Sequence, residues 1–131
     1  LIAKAGKPVY SFHFGYVTQS SRSTNPGARH AAELVYVFDT LGSPTTRSQT
    51  PTAVADADRK IARQMNTYWA NFAKTGDPNG AGLPRWPAMT LEKDETLEFT
   101  MNDGPVARVN FKAAKMAFWD AAYDAGFAPL R

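Results

Sequence analysis

The stretch NPGARHAAELVYVF, residues 25–38, decides how this chain is interpreted. A Pro-Gly turn stands before His30, and an apolar run begins at Leu34 shortly after it. A histidine in a loop can be a catalytic base, a metal ligand or a solvated polar residue, because its ordinary pKa lies close to neutrality. The chain has only one other histidine, His13. The role expected of His30 therefore depends on what the neighbouring segments of the chain predict.

The residues upstream of His30 predict a β-strand followed by a loop. VYSFHF, residues 9–14, alternates in the manner of a strand, and its aromatic face would carry Tyr10, Phe12 and Phe14. His13 falls on the less apolar face, where it is most simply a polar residue. TQSSRSTNPG, residues 18–27, contains only polar and turn residues and predicts a loop that leads to His30. Residues 33–38 fit a short helix or an extended buried segment.

The residues downstream predict a long helix. Apolar side chains recur at helical spacing at Val54, Ile61, Met65, Tyr68, Trp69 and Phe72. Asp56 and Asp58 are expected off that stripe, near the positive end of the helix dipole. Gly76 supplies a left-handed cap, and Pro78 prevents continuation.

The last third of the chain predicts a β-hairpin and a final helix. Leu97, Phe99 and Met101 alternate before an Asn-Asp-Gly turn, which is typical of a hairpin. A turn-rich segment precedes the hairpin, and Trp86 is its one large anchoring side chain. Asn110 can cap a helix that ends at Gly126, with an apolar face of Phe111, Ala114, Phe118 and Ala121.

Composition narrows the class of protein. The 131 residues suffice for one domain, and a 44% apolar fraction is enough for a core. The net charge of +3 comes from scattered Lys and Arg, which argues against nucleic-acid binding. The absence of cysteine excludes disulfides, thiolate zinc sites and cysteine nucleophiles, and leaves the compartment open. No apolar run approaches the roughly 18 residues of a membrane span.

The start of the chain carries neither a signal-peptide pattern nor an initiator methionine. LIAKAG, residues 1–6, reads as the tail of a helix that closes at Gly6, so we expect further residues upstream.

Metal binding is the weakest of the three roles for a histidine here. His13 has no carboxylate or second histidine at ligand spacing, and HxH and HxxxH pairs are absent. The position of His30 favours catalysis, because α/β-hydrolases place the triad histidine on a loop after a late strand. The chain contains no G-x-S-x-G motif, so it lacks the serine that such a histidine would serve.

Three segments together resemble the C-terminal part of a type-B carboxylesterase, the group that includes cholinesterases and para-nitrobenzyl esterases. GARHAAELVYVF, residues 27–38, is similar to the catalytic-histidine segment of that family. YWANFAKTGDPNG, residues 68–80, is similar to its late helix and turn. LPRWPAM through LEFT, residues 83–100, with FWD at 118–120, is similar to its terminal hairpin and helix.

The resemblance implies an α/β fold in which residues 1–131 are the C-terminal portion of an α/β-hydrolase catalytic domain. They would supply a late sheet strand, the histidine loop, a helix, a β-hairpin and a helix. The nucleophile, the oxyanion-hole glycines and the triad acid would precede residue 1.

The implied reaction is carboxylic ester hydrolysis through an acyl-serine intermediate, without metal or organic cofactor. By the same resemblance His30 is the general base. Glu33 is expected to be a buried hydrogen-bonding residue beside His30 rather than the triad acid. Residues 16–29 are expected to line part of the pocket. The implied partners are a small-molecule ester and the remainder of the same polypeptide, and no nucleic acid.

Two alternatives stay open. One is a non-catalytic adhesion or binding relative of the cholinesterases that has lost triad members. The other is a small independent domain. Against the second, residues 9–14 form an apolar strand whose neighbours are not evident in the chain, and a strand with two unpaired edges promotes aggregation. We therefore expect the isolated 131 residues to be poorly soluble or partly unfolded.

Overall fold

The computed structural model describes residues 6–44, 54–90, 92–102 and 104–126. The helix tail expected over residues 1–5 lies outside the described residues, as does Asp103 of the hairpin turn. The elements in chain order are β1 (Ser11–Phe14), a single 3-10 turn (Gln19–Ser21) within the long loop, α1 (Leu34–Val37), α2 (Asp56–Thr75), β2 (Thr96–Thr100), β3 (Gly104–Arg108) and α3 (Ala113–Asp124). The predicted order of strand, histidine loop, helix, hairpin and helix is confirmed, and residues 34–37 are helical rather than extended.

The three strands form one sheet in the order β1-β2-β3. β2 and β3 are the predicted antiparallel hairpin. β1 pairs in parallel with β2, from Ser11 opposite Thr96 to Phe14 opposite Phe99. The expectation that no neighbour of β1 is encoded in the chain is therefore wrong. A parallel partner needs a long crossover, and α1 and α2 provide it here.

Helix α2 covers one face of the sheet and forms the centre of the core. Met65 and Tyr68 are fully buried against Leu97 and Phe99 of β2. The helix ends where the sequence predicts, because Gly76 adopts φ 77° and its N–H bonds to the carbonyl of Phe72 at 2.8 Å. The predicted apolar stripe is therefore confirmed over the middle of the helix.

Two residues of α2 differ from expectation. Phe72 is 48% exposed and does not belong to the core. Asp58, expected to be off the apolar stripe, has no exposed surface at all. The helical period explains the burial, because Asp58 lies three residues before Ile61 and seven before Met65 and so shares their face.

Trp86 anchors the turn-rich segment between α2 and the hairpin, as predicted. Its side chain is buried, and its indole N–H donates to the carbonyl of Ser11 at 2.9 Å. Its ring lies edge-on to that of Tyr68, with the ring centres 5.4 Å apart. The segment is thereby fixed to both β1 and α2.

The final helix begins later than predicted and is not packed into the core. Its N-cap is Lys112 at φ 59°, and Asn110, two residues earlier at φ 53°, provides no side-chain cap. The prediction that Asn110 caps the helix is therefore wrong. No residue of α3 is buried, and Phe118, on the predicted apolar face, is 64% exposed. Phe111 precedes the helix and packs on the His13 ring, with the two ring centres 5.0 Å apart.

Candidate active site

His30 lies in the turn between the long loop and α1, and its side chain is exposed. The turn is closed by a hydrogen bond from the N–H of Ala32 to the carbonyl of Arg29, at 3.1 Å. Ala31 adopts φ 60°, a left-handed conformation that costs an alanine roughly 1–2 kcal/mol. Strain of this kind is found at functional sites more often than elsewhere. No hydrogen bond or ion pair reaches the His30 ring from the described part of the chain.

Glu33 is half-buried just before α1. Its backbone carbonyl accepts hydrogen bonds from the N–H groups of Tyr36 and Val37, at 2.9 and 3.0 Å. Its carboxylate forms no hydrogen bond with the described residues, and it borders an apolar groove with Leu34 and Trp69. The left-handed Ala31 separates it from His30, so the two do not share one helical turn. Its role beside His30 stays a prediction.

A cleft of about 250 Å³ lies between the long loop and α1. The loop side contributes eight residues within the predicted range 16–29: Tyr16, Val17, Thr18, Ser21, Asn25, Gly27, Ala28 and Arg29. The opposite wall includes Ala31, Ala32 and Tyr36. The two neighbours of His30 thus line the cleft, whereas His30 itself does not.

The start of the loop is held by the buried carboxylate of Asp58. It accepts hydrogen bonds from the Tyr16 hydroxyl at 2.6 Å and from the backbone N–H of Gln19 at 3.1 Å. It also accepts from the N–H of Ala55, at 3.2 Å, and so caps its own helix. A buried carboxylate is costly unless its oxygens are hydrogen-bonded, and these three donors with the helix dipole provide that compensation.

Arg22 joins the same loop to the hairpin. Its Nε donates to the carbonyl of Val17 at 3.1 Å, and its Nη2 donates to the carbonyl of Met101 at 2.7 Å. Its guanidinium carbon lies 5.3 Å from the centre of the Tyr16 ring, within cation–π range. Arg22 therefore connects the loop to the hairpin turn, while Asp58 connects it to α2.

The hydroxyl groups of two tyrosines near Asp58, Tyr16 and Tyr36, have pKa values above their ordinary range. Burial and, to a smaller degree, the hydrogen bond to Asp58 raise the pKa of Tyr16 to about 12. Burial, followed by the negative charge of Asp58, also raises the pKa of Tyr36. Both phenols are therefore neutral at any physiological pH, so Tyr16 remains a hydrogen-bond donor to Asp58.

His13 lies on the other face of the sheet, in a different environment. The Lys112 ammonium, which can only donate, lies 2.9 Å from its Nε2, so the neutral ring carries its proton on Nδ1. Glu98 approaches Nδ1 at 3.9 Å and pairs with Arg108 at 3.0 Å. Burial and then the charge of Lys112 lower the pKa of His13, against an opposite influence of Glu98. Nowhere in the described residues do three potential metal ligands cluster.

Sequence reasoning missed Asp58 and Arg22, the two residues that fix the loop carrying His30. For Asp58 a signal exists, since its spacing from Ile61 and Met65 marks an acidic residue on an apolar face. For Arg22 no local signal exists, because its partner Met101 is 79 residues away.

The architecture is that of a segment of the α/β-hydrolase fold, as comparison with solved structures shows. The Geobacillus stearothermophilus carboxylesterase at pH 6.2 matches with a TM-score of 0.70 and 34% identity, over 89% of this chain and 23% of that one. An esterase from Clostridium hathewayi, described as hydrolysing aliphatic aromatic polyesters, matches with a TM-score of 0.71 and 26% identity. That match covers 92% of this chain and 22% of that one.

The family model of the carboxylesterase family matches residues 1–119, and the chain belongs to that family. Carboxylesterase 4A of Bos taurus is 36% identical over 118 residues, which cover 88% of this chain and 20% of that protein. Fatty acyl-CoA hydrolase precursor, medium chain, of Anas platyrhynchos is 32% identical over 118 residues, with 88% and 19% covered. The chain thus spans about a fifth of the length of these relatives. None of the described helices is both long and apolar enough to cross a membrane.

Proposed function

We propose that this chain supplies the catalytic histidine of a serine carboxylesterase, and that His30 is that histidine. Membership of the carboxylesterase family is the observation that carries the proposal. Between the two histidines, His13 is held on the sheet by Lys112. His30 is exposed on a strained turn, and no described side chain occupies its ring nitrogens. It is therefore the histidine available to a nucleophile and an acid supplied by the rest of the polypeptide.

In the proposed reaction the neutral His30 ring takes the proton of a serine hydroxyl as that oxygen attacks the ester carbonyl. The resulting imidazolium returns this proton to the departing alcohol, which leaves an acyl-serine. His30 then takes a proton from water as the water attacks the acyl-serine, and returns it to the serine oxygen as the carboxylic acid departs. These reaction steps need no metal or organic cofactor.

Glu33 and residues 16–29 have supporting roles in this proposal. The Glu33 carboxylate, half-buried and without a described partner, would accept a hydrogen bond from a group close to His30 in the complete protein. Residues 16–29 lie beside His30 and would contribute part of the wall around a small-molecule ester. The cleft formed by eight of them supports their closeness to the His30 turn.

The test is hydrolysis of p-nitrophenyl acetate by the intact protein that contains these residues. His30→Ala is expected to lower kcat/KM by about 10³ or more, as for other triad members. His13→Ala is the matched control, because it removes the other histidine from a site without a proposed catalytic role, and it should retain activity within about threefold. Unchanged hydrolysis in His30→Ala would refute the assignment. An inert intact protein would favour the adhesion alternative instead.

The same experiment on residues 1–131 alone is expected to give no hydrolysis. Large apolar side chains are exposed on the described surface, among them Phe38, Phe118 and Trp119, and such surfaces are normally covered. We therefore propose that the remainder of the polypeptide covers them. A soluble monomer of the isolated chain that melts in one cooperative transition would contradict this.

A further inference from the structure

Asp58 has no place in the proposed chemistry, yet it is the most completely buried charged residue described. A carboxylate at the start of a helix can stabilise the helix dipole from the surface, as Asp56 does two residues earlier. Burial adds a desolvation cost that an exposed acid avoids. What burial adds in return is contact with Tyr16 and Gln19, which lie outside the helix.

Those two contacts fall at the beginning of the loop that carries His30. Tyr16 and Gln19 come two and five residues after the end of β1, and Asp58 holds one by its hydroxyl and the other by its backbone N–H. The loop therefore leaves the sheet in a direction that α2 determines through one carboxylate.

The end of the same loop returns to the same place. The ring of Tyr16 packs edge-on against the buried ring of Tyr36 in α1, with their centres 5.8 Å apart. Arg29 and Ala31, the neighbours of His30, share one cleft with Tyr16. A movement of Tyr16 would therefore act on both the wall beside His30 and the helix that follows it.

We infer that Asp58 is a positioning residue for His30, acting through Tyr16 and the Tyr16–Tyr36 contact to hold the histidine turn in its reactive place. This inference rests on the proposed role of His30. Misplacement of a catalytic group by about 1 Å can cost on the order of 10²-fold in rate. Asp58 would accordingly affect kcat rather than substrate affinity, although it contacts neither substrate nor the reacting atoms.

The experiment uses the intact protein and compares Asp58→Asn and Asp58→Ala with Asp56→Asn. Asp56 is a matched control, since it is an acid in the same helical turn but is exposed. Hydrolysis of p-nitrophenyl acetate is measured per active site, with sites counted by complete titration with a serine-directed organophosphonate. This count removes misfolded molecules from the result.

We expect kcat per titrated site to fall by about tenfold in Asp58→Asn and about 10²-fold in Asp58→Ala, with KM within about twofold. Asparagine retains one acceptor oxygen for Tyr16, which is why its effect should be smaller. Asp56→Asn should stay within about twofold of the wild type. Tyr16→Phe should lower kcat, and combining it with Asp58→Ala should add little to the effect of Asp58→Ala alone, because both changes remove the hydrogen bond between Tyr16 and residue 58.

A purely structural Asp58 would reduce the number of titrated sites and the melting temperature but leave kcat per site unchanged, and that result would overturn the inference. If Asp58→Ala does not fold, Asp58→Asn and Tyr16→Phe give the same decision. Wild-type hydrolysis that is insensitive to His30→Ala would overturn the proposed function together with this inference. Unchanged kcat per site in a protein that does depend on His30 would overturn the positioning role alone.

Discussion

Removal of the Arg22 side chain should loosen the histidine loop without unfolding the rest of the sheet. Arg22→Ala deletes the hydrogen bonds to the carbonyls of Val17 and Met101, at 3.1 and 2.7 Å, and the contact with the Tyr16 ring. Hydrogen bonds from a charged group contribute about 1.5–3 kcal/mol each, and the cation–π contact about 0.5–1 kcal/mol. Arg22 is half-buried, which favours the lower values.

Release of the ordered side chain offsets up to about 2 kcal/mol of this loss. The net decrease in the free energy of local opening is then about 2 kcal/mol. Where the rate of amide exchange is proportional to the equilibrium constant for local opening, this corresponds to about 30-fold faster exchange. The amides of Thr24 and Asn25, both bonded to the Ser21 carbonyl, should report it. The assay is hydrogen–deuterium exchange of the intact protein, read by mass spectrometry on peptides that span residues 18–26.

Arg29→Ala is the control, since the Arg29 side chain is exposed and, among the described residues, bonds only to the Asn25 side chain, at 2.7 Å. Exposed pairs contribute less than about 1 kcal/mol, so exchange should rise by less than about fivefold. Arg22→Lys should behave more like alanine than like arginine, because one ammonium does not reproduce the fork that reaches two carbonyls. Equal exchange in Arg22→Ala and Arg29→Ala would refute the view that Arg22 fastens the loop.

Three further outcomes concern pH and backbone conformation. The pKa of His13 is lowered from 6.5, so the unfolded chain binds its proton first; stability is present above pH 6.5 and is lost as pH falls through the lower folded value. His13→Gln should flatten acid unfolding curves over that interval, and an unchanged slope would contradict the assignment. Burial raises the pKa values of Tyr16 and Tyr68 to about 12, so the stability they contribute is complete below pH 10 and is lost between about pH 10 and 12. In an alkaline titration followed by phenolate absorbance, the double variant Tyr16→Phe, Tyr68→Phe should therefore lack the absorbance of two tyrosines. This difference from the wild type should appear only above pH 10. Gly104→Ala should cost about 1 kcal/mol more unfolding free energy than Gly82→Ala: both glycines have positive φ, but only at Gly104 would a Cβ crowd Ile61, at 3.1 Å. Equal unfolding midpoints in denaturant would show that the Ile61 side chain moves aside at no cost.

The elements that sequence predicts correctly are those with local signals. The apolar period of α2 and the left-handed Gly76 define a helix and its end from neighbouring residues alone. The same holds for the alternation of Leu97 and Phe99 in the hairpin. The turn and the polar loop before His30 are likewise evident from neighbouring residues, whereas the catalytic role of His30 stays a prediction.

The features that sequence did not predict depend on partners far along the chain. The pairing of β1 with β2 joins Ser11 to Thr96, across 85 residues, and no local pattern specifies it. The spacing of Asp58 from Ile61 and Met65 indicates its buried face, but its partners Tyr16 and Gln19 lie 42 and 39 residues earlier, and no local pattern specifies them. The prediction for the start of α3 is wrong for a different, local reason. Asn110 is a favoured capping residue, but two left-handed residues, Asn110 and Lys112, delay the start of the helix.

The most direct test of the central proposal is a crystal structure of the intact protein after reaction with a serine-directed organophosphonate. The proposal predicts that the modified serine lies within about 3 Å of a ring nitrogen of His30, with a carboxylate from outside residues 1–131 bonded to the other nitrogen. Side chains of residues 16–29 should border the adduct. An adduct far from His30, or one whose serine contacts a different histidine, would contradict the account.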